Sequence, residues 1–108
     1  MARSFYQVEY HTSYAELKDR LESVLTANGY HPYVYNKAEN VWKKGTGALT
    51  AMMYIKIEYD VGKVTIQGWS CAGLGSVELN ELALSGFVGA IPKKMCRGVI
   101  EQMIRAIA

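Results

Sequence analysis

Residues 48–71, ALTAMMYIKIEYDVGKVTIQGWSC, decide the fold. From Ala48 to Tyr59, Leu49, Ala51, Met53, Ile55, Ile57 and Tyr59 share one parity, and Thr50, Met52, Tyr54, Lys56 and Glu58 share the other. A period of two belongs to a strand, because successive Cβ atoms point to opposite faces of a sheet. The first face is apolar throughout. The second is mixed and is expected to be at least partly wet. Asp60-Val61-Gly62-Lys63 supplies a hairpin turn in which Gly62 can take positive φ. Lys63–Cys71 then returns, with Val64 and Ile66 inward and Thr65, Gln67 and Trp69 on the opposite parity. Strands joined by so short a turn pair antiparallel.

Working outward, Glu39–Lys44 is a short strand carrying Val41 and Trp42, followed by a Gly45-Thr46-Gly47 turn. Tyr30–Asn36 is aromatic but contains Pro32, which cannot donate to a ladder, so it is at best an edge strand. Ser4–Tyr10 alternates again, Tyr6, Val8 and Tyr10 against Phe5, Gln7 and Glu9. On the far side of the hairpin, Ala72–Gly75 is a glycine-rich bend, and Ser76–Leu82 is a last strand with Val77 and Leu79 inward.

Two segments change period. Ser13 followed by Glu16 has capping-box spacing, and Tyr14, Leu17, Leu21, Val24 and Leu25 then recur on one helical face until Asn28-Gly29 stops the helix. Pro92 suits the first turn of a second helix, whose stripe is Met95, Cys96, Val99, Ile100, Met103, Ile104 and Ile107. Gly98 weakens that helix by about 1 kcal/mol relative to alanine, through either close approach to a neighbour or simple tolerance. Two amphipathic helices need an apolar surface, and one sheet supplies it. The pattern predicts a single α+β domain over residues 1–108. It is a two-layer sandwich with one antiparallel sheet of about five strands and both helices on one face, in the order β-α-β-β-β-β-α.

Composition narrows the function. Half of the 108 residues are hydrophobic and a fifth are charged, as in a foldable globular chain. A net charge of +2 does not announce nucleic acid. The longest uncharged run, Val64–Val77, contains three glycines and falls short of the roughly 20 apolar residues of a spanning helix. Phe5 and Tyr6 are soon followed by Glu9, which is unlike a leader, so the expected compartment is the cytoplasm. Cys71 and Cys96 lack the local partner a zinc site needs, as do His11 and His31, so neither metal nor cofactor is expected. Two buried, reduced thiols is the plain reading. A sharper one places Cys96 in the first turn of the last helix beside Lys93, Lys94 and Arg97, which would favour a thiolate. There is no GxSxG, HExxH, dinucleotide fingerprint or paired-carboxylate motif, and no catalytic residue is assigned.

Four features could carry binding. Lys43-Lys44 beside Gly45-Thr46-Gly47 could meet a phosphate, although the segment joins two strands and lacks the phosphate-loop pattern. Lys93-Lys94 at a helix N-terminus oppose the macrodipole, and an anion docked there would resolve the conflict. The uncharged stretch Leu82–Ile91, with Leu84, Phe87 and Val88, either folds over the sheet's end or offers an apolar patch to a partner or an anionic membrane surface. Tyr30, Tyr33 and Tyr35 cluster with His31, where aromatics could stack bases or sugars or simply line a half-wet sheet.

Val41-Trp42-Lys43-Lys44-Gly45-Thr46-Gly47 and Gly86-Phe87-Val88-Gly89-Ala90-Ile91-Pro92-Lys93-Lys94, with Thr50-Ala51 and Ile55-Lys56 between them, resemble segments of a group of uncharacterised small bacterial domains from Firmicutes such as clostridia. Those domains carry similar W-K-K-G-x-G and G-F-x-G-A-x-P-K-K segments, and the resemblance spans roughly residues 40–108. It implies no activity; it implies that the two Lys-Lys segments belong to one module. The leading expectation is a non-enzymatic binding or assembly module acting as a homodimer, with Leu84, Phe87, Val88, Tyr33 and Tyr35 as candidate contacts. The alternative is an anion-binding domain using Lys43, Lys44, Lys93 and Lys94 toward nucleic acid, phosphoinositide or an anionic membrane surface.

Overall fold

The computed structural model describes residues 3–35, 37–45, 52–74, 77–82, 84 and 90–107. Chain order is β1 (Ser4–Glu9), α1 (Tyr14–Ala27), β2 (His31–Tyr35), β3 (Ala38–Lys44), β4 (Met52–Asp60), β5 (Lys63–Leu74), β6 (Val77–Leu82) and α2 (Ala90–Ile107). The fold is the α+β sandwich that the pattern predicts, with every strand pair antiparallel. Six strands are described rather than about five, because both the proline-bearing segment and residues 77–82 pair.

The sheet runs β1-β5-β4-β3-β2, with β6 also on β5. β5 is long enough to serve two partners along one edge. Its first half pairs β1 from Glu9↔Lys63 to Ser4↔Gly68, and its second half pairs β6 from Ser70↔Leu82 to Leu74↔Val77. The expected bend over 72–75 is therefore still strand as far as Leu74. A register shift between Ala72 and Gly73 absorbs the glycine-rich stretch as a bulge. The β4–β5 hairpin closes with Asp60 opposite Lys63 and Gly62 at φ 74°, and the Val61 N–H donates to Asp60 Oδ1 at 2.8 Å. Tyr10 fastens β1 to this turn, its N–H donating to the Gly62 carbonyl at 3.1 Å and its hydroxyl to the Asp60 carbonyl at 2.8 Å. Residues 46–51, including Leu49, Thr50 and Ala51, lie outside the described residues.

α1 begins where the capping spacing places it: the Glu16 N–H donates to Ser13 Oγ at 3.2 Å. It ends in a left-handed Gly29 at φ 85°. There the Tyr30 N–H reaches the Leu25 carbonyl at 2.9 Å and the Gly29 N–H the Thr26 carbonyl at 3.1 Å, the paired bonds of a Schellman motif. Leu17, Leu21 and Leu25 from α1 and Cys96, Val99, Ile100, Met103 and Ile107 from α2 are buried together on Trp42, Met53, Ile55, Ile57, Val64 and Ile66 of the sheet. Both helices thus cover one face. Arg20 Nη1 donates to the Ala106 carbonyl at 3.2 Å and Asn28 Nδ2 to Gln102 Oε1 at 3.0 Å, tying the helices side by side.

α2 starts at Ala90, which still leaves Pro92 in its first turn. Met95, expected on the buried stripe, is instead exposed, and Lys93 is buried. The buried face runs 93, 96, 100, 103, 107, and Met95 falls beside it. At Gly98 an added Cβ would meet nothing within 4 Å, so tolerance, not close packing, accounts for the glycine. Gly98→Ala is expected to stabilise the protein by about 0.5–1 kcal/mol in urea unfolding; a destabilised variant would contradict this placement of α2.

Candidate functional site

The helix-free face carries a second, aromatic cluster. Tyr54 on β4 and Trp69 on β5 stand directly opposite in register, and their rings stack at 5.5 Å with 9° between planes. Tyr35 on β2 meets both, at 4.8 Å from Tyr54 and edge-on to Trp69 at 5.2 Å. Val41, Met52 and Cys71 complete it. The face expected to be at least partly wet is so toward Lys56 and Glu58, but it is dry at Tyr54 and Trp69, both 0% exposed. Offset and edge-on ring pairs of this kind add about 0.5–1.5 kcal/mol each beyond area burial.

Two cations flank the rings. The Arg3 guanidinium lies 3.8 Å from the Trp69 ring centroid, and its Nη1 donates to Gln67 Oε1 at 3.0 Å, while Gln67 Nε2 donates to Glu58 Oε1. At the other end Lys43 Nζ sits 4.5 Å from the centre of the Tyr33 ring and 5.5 Å from that of Tyr54. The Trp69 indole N–H is buried and has no acceptor among the described residues. Composition did not single out Arg3, Gln67 or the Tyr54–Trp69 pair. The hairpin turn contains the signal, since equal steps back from Asp60 and forward from Lys63 arrive at Tyr54 and Trp69.

The candidate lysines separate. Lys43 and Lys44 are neighbours on β3, and a strand's alternation sends them to opposite faces. Lys43 is buried against the tyrosines just described; Lys44 lies on the helix side, its Nζ 6.0 Å from the Tyr30 ring centre. Lys93 is 3% exposed, whereas Lys94 is exposed. Of the candidate contacts, Leu84 is corrected: it is fully buried in the helix-side core, where its Cδ1 would stand 2.6 Å from a Cβ added at Gly68. Tyr35 is likewise buried, because it closes the aromatic cluster, and Tyr33 is half-buried under Lys43. Phe87 and Val88 lie outside the described residues, as do the side chains of Val77 and Leu79.

Cys96 lies in the second turn of α2, not the first, and is 1% exposed. Burial pushes its thiol up to about 11, outweighing the Tyr30 hydrogen bond and the Arg97 and Lys44 charges that favour thiolate. The thiolate reading is therefore overturned. A raised pKa means that the folded state keeps its proton when the unfolded chain has lost it. The associated stability is complete below the unfolded thiol's pKa, near 9, and is lost as pH rises toward 11. Burial also raises Tyr30 and Tyr59, with the same sign. Denaturation midpoints are expected to fall steadily above pH 9, and Cys96 to resist mild alkylation at neutral pH until the protein unfolds; stoichiometric labelling of the native chain would refute this.

Among the described residues no three His, Cys, Asp or Glu side chains gather as metal ligands, and no helix is long and apolar enough to cross a membrane. A hollow on α1 lined by Asp19, Glu22 and Ser23 is open to solvent. What the described surface does present is two sheet edges. β2 lies at one margin and β1, followed by β6, at the other; β2 and β1 each carry a large exposed apolar side chain, Val34 at 68% and Phe5 at 50%. Compared with known proteins, the chain matches no family model, no curated protein and no solved structure.

Proposed function

We propose that this chain is a non-enzymatic binding and assembly module that works as a homodimer in the cytoplasm. One observation carries the reading: among the described residues no further strand pairs with the outer sides of β2 and β1, and each of the two sets an exposed apolar side chain beside its outward backbone groups. Such edges pair readily with another strand. The two thiols, both buried and neither in a disulfide, suit a reducing compartment. Light scattering at micromolar concentration is expected to give twice the 12.0 kDa chain mass; a value of 12.0 kDa throughout the micromolar range would refute the dimer.

Anion binding is the second reading. It is favoured by α2, whose first turn carries no acidic residue and includes Lys93, with Lys94 directly after it. On that reading, binding to heparin or anionic vesicles falls steeply with salt and weakens when Lys43, Lys44, Lys93 and Lys94 are replaced by alanine. Equal binding by that quadruple variant would end it.

A further inference from the structure

The two margins of the sheet are not alike. β2 has Pro32, which lacks an N–H, a register shift between Tyr33 and Tyr35, and a left-handed Lys37 at φ 65° in the turn that follows. The proline and the register shift each blunt an edge against further pairing. β1 has none of them. Ser4–Glu9 runs without proline or bulge, in unbroken register with β5, and no described strand covers its outer side. Phe5, Gln7 and Glu9 on its helix-free face are all exposed.

We propose that β1 is the homodimer interface, pairing antiparallel with β1 of a second copy about a two-fold axis at Tyr6 to make one continuous sheet. The inference rests on the assembly reading above and names the surface it uses. A two-fold axis normal to the sheet keeps corresponding faces together, so facing residues must have the same parity. The register centred on Tyr6 sets Arg3 opposite the second copy's Glu9, Phe5 opposite Gln7 and Ser4 opposite Val8, each twice. Shifting the axis to Phe5 moves Arg3 opposite Gln7 and forfeits the ion pair, and shifting it to Gln7 sets the Glu9 carboxylate against Phe5. Opposite charges directly across a pair of strands stabilise it, and like charges oppose it. Charge complementarity therefore selects both the occupant, a second copy, and the register. Arg3 and Glu9 share the helix-free face, the side on which the Arg3 guanidinium lies over Trp69.

The test is sedimentation equilibrium on the full chain and on Glu9→Lys and Gln7→Lys, both at exposed positions, with circular dichroism confirming that each variant folds. Self-association is expected to weaken at least tenfold in each. Independently, Phe5→Cys combined with Gln7→Cys should form a covalent dimer under mild oxidation, while either single cysteine should not. A parent dimer that both lysine variants leave intact, with no covalent product from the paired cysteines, would overturn the β1 interface and leave the assembly reading standing. A parent that is monomeric throughout would overturn both.

Discussion

Trp69→Ala is expected to destabilise the protein by about 3–5 kcal/mol, the range for removing a fully buried large aromatic. A domain of this size is stable by only about 5–15 kcal/mol, so the variant should sit near the edge of folding. Three contacts disappear together: the stack on Tyr54, the edge-on Tyr35 ring and the surface beneath the Arg3 guanidinium. Trp69→Phe separates ring packing from the polar group. It keeps an aromatic between Tyr54 and Arg3 and deletes an indole N–H that has no described acceptor. Deleting an unsatisfied buried donor recovers part of what the smaller ring loses. The phenylalanine variant should therefore lose less than half as much as the alanine variant. Urea unfolding followed by circular dichroism measures both, and a loss below about 1 kcal/mol for alanine would mean that the rings are not packed as described.

Gly68→Ala should cost about 1–3 kcal/mol by overpacking. On β5, Gly68 faces the helices, and a Cβ there would stand 2.6 Å from Leu84 Cδ1 and 2.7 Å from Ile100 Cδ1. Both groups are side-chain ends, which move cheaply when they have somewhere to go. Here both residues are 0% exposed within the same core, so a shift must be passed on to neighbours. Leu84→Ala alone leaves a cavity and also destabilises, but it makes room for the new methyl group. The double variant is therefore expected to be more stable than the sum of the two losses predicts, by at least about 0.5 kcal/mol. Strict additivity would show that Leu84 does not rest on Gly68.

These two sites mark how far the sequence could be read. Periodicity located both helices, the hairpin and the proline-bearing edge, because each rests on local chemistry: a serine cap, a left-handed glycine, a two-residue turn, a missing N–H. Periodicity also held information that composition hid. Lys43 and Lys44 look like a charged pair but alternate across a strand, and Lys93 lies seven residues before Ile100, on the buried side of α2. Reading them by charge pairs them; reading them by position sends Lys43 and Lys44 to opposite faces and sets Lys93, but not Lys94, on the buried side of α2. The pairing of β1 with the start of β5, the seat of Leu84 on Gly68 and the docking of Arg3 on Trp69 join residues far apart in the chain. No local pattern encodes them. Met95 was misplaced for a related reason: a stripe wide enough to include it extends beyond the face that the sheet can cover.

The shared margin of β5 also bears on how the molecule is made. During synthesis β1 leaves the ribosome before the other described elements, yet the strand it pairs with begins only at Lys63 and ends at Leu74. α1 can coil and cap itself at once, whereas β1 must wait as a loose thread until the β4–β5 hairpin has emerged. Distant partnerships of this sort are slow to form. β1 is thus laid beside the first half of β5 only after the hairpin has formed, and until then its backbone groups lack their strand partner.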